Sequence, residues 1–195
     1  MTTDVLNVLI KGFQMNVVEP IRDIEKIEEI KDVLLEKSYR NYMIFLVGIN
    51  TGLRIGDLLK LKVEDVRNRK HIYIKEQKTS KVKRFLINTA LRKELDKYMK
   101  DMAKDEHLFQ SRIGTNKPLS RFQAYRIMSS VGKEVGLERI ACNSTRKTFG
   151  YHHYKKYKDI ALLQKLYNHS KPSITLDYIG ITQDMIDDSI EKFSL

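Results

Sequence analysis

The chain has one cysteine, three prolines and no tryptophan among its 195 residues. A single cysteine excludes an intramolecular disulfide and a thiolate metal cluster, and Cys142 reads as a small apolar packing residue. Few prolines and 42% hydrophobic residues argue for an ordered globular chain of one domain, or one with a short appendage. No apolar run approaches the ~18 residues of a membrane span, so no membrane partner is expected. The opening MTTDVLNVLIKGFQMN carries Asp4 and no basic leader, so a secretory signal is not expected and the cytoplasm is.

Positive charge is what the chain has in excess. Lys and Arg number 36 against 25 Asp and Glu, for a net charge of +11 and a pI near 9.6. The excess is concentrated. Residues 67–100 hold twelve Lys/Arg against three acids, and residues 139–171 hold eight against one. The first 66 residues and the last 24 are net acidic. Two basic segments apart in sequence suit the two walls of a groove for a polyanion, with nucleic acid ahead of an acidic protein or membrane surface.

Periodicity predicts a mainly α fold with one small antiparallel β-sheet (α+β). Ile27, Ile30 and Leu34 mark a helix over 23–37, and Tyr42, Phe45, Leu46 and Ile49 mark a second that stops at Gly52. RIGDLLKLKVEDV reads as a third helix from Arg54. Period-two patterns at 71–75 and 82–88 flank the polar EQKTSK and predict a hairpin. Leu91, Leu95, Tyr98 and Met102 predict the next helix. Ser120 with Gln123 forms a capping box for one through about Val135. Helices follow at 144–157, at 160–167 from an Asp159 cap, and at 171–179 with Pro172 in the first turn. A last helix from Thr182 is expected to bury Ile186, Ile190 and Phe193. Residues 1–18 are expected to be a tail or linker remnant, and 19–195 the domain.

Three polar clusters could carry chemistry. TGLRIGDLLKL puts Arg54 at a helix start after a glycine turn, although pairing with Asp57 one turn on would explain it equally well. QKTSK puts Lys78 at a hairpin tip, where a lysine is ordinarily just solvated. LYNHSKPSITLDYIG puts His169 in a turn and Tyr178 nine residues on, both common structural items. A tyrosine nucleophile needs a proton acceptor or a stabilised phenolate, because its ordinary pKa is near 10. His152 and His153 point about 100° apart on a helix, which opposes a shared metal. Tyr151, Tyr154 and Tyr157 read as core packing.

Their order carries more than any one of them. TGLRIGDLLKL is similar to the first-arginine box of the tyrosine recombinase (phage integrase) catalytic domain, and KTSKVKRFLI to its β-hairpin lysine. STRKTFGYHHYK resembles the second-arginine box, and LYNHSKPSITLDYI the histidine–tyrosine box. The resemblance runs from about Val17 to Ile190. It implies site-specific DNA recombination of the integrase type, in a phage or other mobile element. Tyr178 would attack a DNA phosphate to leave a 3′-phosphotyrosyl link and a free 5′-hydroxyl. Arg54 and Arg146 would clamp the non-bridging oxygens, His169 would add a hydrogen bond, and Lys78 would protonate the departing 5′-oxygen. Asp57 would brace the arginine box. Lys81, Lys83, Arg84, Lys147, Lys155 and Lys156 would bind double-stranded DNA. No metal or other cofactor is implied. A homo-oligomer that forms on DNA is expected, a tetramer at recombining sites, with accessory DNA-bending proteins as further partners.

The chain departs from the family pattern in three places. Asn143 stands where the second-arginine box usually has histidine, so an attenuated enzyme is expected. Asn168 replaces the usual glycine before His169, a mild change because asparagine also accepts an αL helix stop. Residues 1–18 are too short for the N-terminal core-binding domain. The rival readings are a nicking-closing enzyme of the type IB topoisomerase kind and a DNA-binding regulator or excision accessory without the chemistry. A helical interaction protein would explain the charge but not the ordered boxes.

Overall fold

Four of the described helices begin where a polar side chain, from Asp23, Asn88, Ser120 or Asp159, takes up a free backbone N–H. The computed structural model describes residues 18–75, 82–181 and 183–194. Helix α1 (Ile24–Lys37) starts at Asp23, whose carboxylate accepts from the Glu25 amide, and its buried stripe is Ile27, Ile30 and Leu34. Helix α2 (Tyr39–Thr51) buries Met43 through Gly48 on every side and forms the centre of the core. It ends at Gly52, whose φ of 66° favours glycine and where a Cβ would stand 2.6 Å from the Phe149 ring.

The expected long third helix is instead the single turn α3 (Ile55–Leu58), followed by a 3₁₀ turn at Val63–Asp65. Leu58, Leu59, Leu61, Val63 and Val66 are all buried. That spacing fits no single helical stripe, so a folded-back turn buries what a straight helix would expose.

Strands β1 (His71–Lys75) and β2 (Val82–Leu86) pair antiparallel, with His71 opposite Leu86 and Lys75 opposite Val82. Residues 76–81, with Lys78 and Lys81, lie outside the described residues, as do 1–17 of the expected tail and Thr182. Helix α4 (Thr89–Tyr98) is capped by Asn88 and stops short of Met102, and α5 (Arg121–Glu134) has the Ser120–Gln123 box. Helix α6 (Cys142–Tyr157) starts two residues before the expected position. Helix α7 (Ile160–Tyr167) is capped by Asp159 and ends at Asn168 with φ 60°. Helices α8 (Pro172–Ile179) and α9 (Gln183–Glu191) complete the chain.

Two sequence expectations about side chains are corrected. Ile186, Ile190 and Phe193 are 41%, 61% and 67% exposed, so α9 buries none of them. The stripe is there, but no other described part of the chain lies over it. Tyr151 is buried and Tyr154 half-buried, while Tyr157 is 58% exposed. Steps of three residues fall 60° short of a full helical turn, so the third tyrosine has rotated off the buried face.

The main core gathers around α2, and a smaller one joins Leu163, Tyr167 and Ile179, with Phe149 and Tyr178 packed against it. The candidate chemistry sits above this second core.

Candidate active site

Arg146 is only 4% exposed, on the inner face of α6. A guanidinium taken out of water must find partners on all sides. One nitrogen donates to the Gly52 carbonyl at the end of α2. Its carbon sits 4.0 Å from the centre of the Tyr167 ring. Tyr178 lies close enough that its phenol and this guanidinium shift each other's pKa. Burial lowers the Arg146 pKa, and the two tyrosines oppose that.

The helix α8 brings Tyr178 to this cation from 32 residues further along the chain. Burial pushes its phenol pKa up, and Arg146 and then Arg54 pull it back, leaving a net rise. Lys147 adds a third cation, its ammonium 5.2 Å over the Tyr178 ring, with a pKa that burial lowers. Arg54 is exposed at the start of α3 and donates to the Tyr167 carbonyl at 3.4 Å. Among the described residues its guanidinium has no ion pair or hydrogen bond with the Asp57 carboxylate, and the direct bond between the two runs through the backbone, from the Asp57 amide to the Arg54 carbonyl at 2.9 Å.

His169 stands 5.2 Å from Tyr178, ring to ring, and 5.5 Å from Tyr167. Its Nδ1 is 3.0 Å from the hydroxyl of fully buried Thr175. Burial lowers its pKa first, then the charges of Arg146, Arg54 and Lys83. Lys83 comes from β2 and donates to the Leu166 carbonyl at 3.2 Å. The sheet therefore delivers a cation beside the histidine.

Four of the candidates, Arg54, Arg146, His169 and Tyr178, thus converge, with Lys83 and Lys147 beside them. Asn143 is exposed, one helical turn before Arg146, and its side chain forms no hydrogen bond among the described residues. Lys78 and Lys81 lie outside those residues. Arg84 is exposed on β2. Lys155 and Lys156 are exposed too, but roughly 14 Å further along α6 at the usual rise per residue. The neighbouring His152 is occupied by the Ile21 carbonyl at 2.9 Å. Cys142 has its thiol pushed up to about 11 by burial, which removes it as a nucleophile. No group of three or more His, Cys, Asp or Glu among the described residues could hold a metal ion, and no described helix is long and apolar enough to cross a membrane.

Sequence reasoning passed over Tyr167 and Thr175. Both are fully buried, and both touch site residues. Neither stands out in sequence beyond its closeness to His169.

A helical scaffold that surrounds one tyrosine with two arginines and a histidine defines the class of enzyme that cuts phosphodiesters through a tyrosyl link. The sequence model of the Phage integrase family matches residues 22–184, and the chain belongs to that family. DNA cleavage and rejoining in recombination is the activity of these tyrosine recombinases. Over 170 residues the chain is 51% identical to Probable integrase/recombinase YoeC of Bacillus subtilis (strain 168), covering 87% of this chain and 93% of that one. It is 26% identical over 174 residues to tyrosine recombinase XerA of Pyrococcus furiosus, covering 88% of this chain and 60% of XerA. The crystal structure of XerA recombinase superposes with a TM-score of 0.73 at 20% identity, covering 91% of this chain and 67% of that one. The chain thus spans nearly all of YoeC but under two thirds of Pyrococcus XerA.

Proposed function

We propose that Tyr178 is the nucleophile of a DNA strand-cleaving and rejoining reaction, with double-stranded DNA as substrate and residues 19–195 as the catalytic domain. The observation that carries this reading is the buried guanidinium of Arg146, 4.0 Å over the Tyr167 ring against which Tyr178 also packs. A phosphate placed against Arg146 would lie against the phenol as well. The transition state gathers charge on the non-bridging oxygens, and the planar forks of Arg54 and Arg146 suit those oxygens. His169 has its Nδ1 against Thr175, which leaves Nε2 to donate to the phosphate. The Tyr178 phenol loses its proton to water, its oxygen bonds to phosphorus at the 3′ side, and the 5′-oxygen leaves with its electron pair. Lys78, which lies between the two strands in sequence, gives that oxygen a proton. Reversal with a second 5′-hydroxyl rejoins a strand, because the phosphotyrosyl link conserves the bond energy.

Asn143 makes the enzyme a slow one in this reading. An amide can donate to a phosphate oxygen but cannot act as acid or base near neutral pH, and such help is typically worth roughly 10²–10⁴-fold. The same exposed, unbonded amide favours a second reading, a chain that binds DNA and does not cut it. The basic segments, with Lys81, Lys83, Arg84, Lys147, Lys155 and Lys156, line the duplex in both. The α9 stripe docks on a neighbouring protomer, so the chain multimerises on DNA in the cytoplasm.

A nicked suicide duplex separates the readings. The parent chain should form a protease-sensitive covalent adduct, and Tyr178→Phe should form none while its Kd stays within about threefold, since one hydroxyl contact is worth roughly 0.5–1.5 kcal/mol. An adduct in Tyr178→Phe would move the nucleophile elsewhere. No adduct in either protein would leave binding only.

A further inference from the structure

Tyr167 touches more of the site than any residue assigned to it. The ring has no exposure. One face carries the Arg146 guanidinium at 4.0 Å, and the ring meets Tyr178 edge-on at 5.4 Å and His169 at 5.5 Å. Its hydroxyl donates to the Arg146 carbonyl at 2.7 Å, and its own carbonyl accepts from Arg54 at 3.4 Å. A helix-terminal residue of α7 thereby meets both arginines, the histidine and the tyrosine.

The neighbouring sequence makes room for it. A Cβ on Gly150 would stand 2.5 Å from the Tyr167 hydroxyl and 2.6 Å from Ile179. Only glycine one helical turn beyond Arg146 lets the ring rise under the guanidinium. Asn168 then takes the αL conformation that turns the chain towards His169.

The geometry points to Tyr167 as the positioning residue of this site: its ring face is the platform that holds the Arg146 guanidinium against Tyr178. A guanidinium over an aromatic face is attracted to it, and more so when water is excluded. Without the ring, Arg146 keeps its bond to Gly52 but loses the surface that sets its tilt. Arginine has several rotatable bonds, so its fork then no longer matches the phosphate oxygens and the phenol together. Nothing in this role requires Tyr167 to touch DNA.

This inference rests on Tyr178 as nucleophile, and its test is a double-mutant cycle read as single-turnover cleavage of a nicked suicide duplex. Tyr167→Phe keeps the platform and should stay within about threefold of the parent rate. Tyr167→Leu removes it and should slow cleavage about tenfold or more, with duplex Kd within twofold. In an Arg146→Lys background, followed over hours, Tyr167→Leu should cost less than about twofold further, because the group it positions is gone. Equal slowing in both backgrounds means that the ring only supports the fold, and overturns the assignment. So does a Phe variant as slow as the Leu variant. Failure of the recombinase reading looks different, because the parent chain then forms no adduct. The cycle is in that case read on the midpoint of thermal unfolding, where non-additivity of the two substitutions supports the platform and additivity overturns it.

Discussion

The imidazole of His169 is anchored by Thr175, Nδ1 to hydroxyl, at 3.0 Å. Thr175 is fully buried one turn before Tyr178 on α8, so the helix that carries Tyr178 also sets the histidine's tilt. Replacing Thr175 by valine keeps the shape and removes the hydroxyl. Cleavage should slow about three- to tenfold, the worth of one hydrogen bond, and Thr175→Ser should recover most of it. Single-turnover rates for the two variants decide this, and a Val variant at the parent rate would leave the anchor without effect.

Acid should weaken the fold. His153 and His169 both have pKa values held below the ordinary histidine value, by burial first in each case. Below about pH 6.5 the unfolded chain therefore binds more protons than the folded one. Stability then rises with pH in that window and is lost as pH falls. The midpoint of thermal unfolding should drop between pH 7 and 5.5, and His153→Gln with His169→Gln should flatten the slope. An unchanged slope in the double variant would assign the loss to other groups.

Asn143→His should raise single-turnover cleavage about tenfold or more at an unchanged Kd. The exposed amide has space and no hydrogen bond to give up. A flat rate in a parent that already cleaves well would mean that the proton takes another route, with Lys147 over the Tyr178 ring the nearest described candidate.

The uncovered stripe of α9 predicts a monomer in solution that multimerises on DNA. Ile190→Asp and Phe193→Asp should lower the DNA-bound stoichiometry and leave thermal stability almost unchanged, since both side chains are exposed. Stoichiometry by light scattering or native mass measurement reads this directly. Unaltered assembly would show that the helix has no part in it.

Duplex affinity should fall with salt. If both basic segments face one duplex, log K against log salt should have a slope of about −4 to −8, reflecting several neutralised phosphates. A slope near −1 would place 67–100 and 139–171 on unrelated surfaces.

What could be read from sequence is what local chemistry decides. Ser120 with Gln123, and Asp159, start helices where they stand because a cap is a contact over two or three residues. Gly52 and Asn168 stop helices for the same short-range reason. The order of Arg54, Arg146, His169 and Tyr178 was legible because each sits in a short box. Tertiary structure decided the rest. The folded-back turn after α3 depends on what surrounds Leu59, Leu61 and Val66, which no local period records. An amphipathic stripe on α9 looks the same in sequence whether the chain covers it or leaves it open. Tyr167 and Thr175 read as ordinary core residues, because burial under a guanidinium or beside an imidazole is a relation between distant segments. Arg146 meets Gly52, 94 residues away, only after α2 and α6 have packed, and its burial between Tyr167 and Tyr178 follows from that packing.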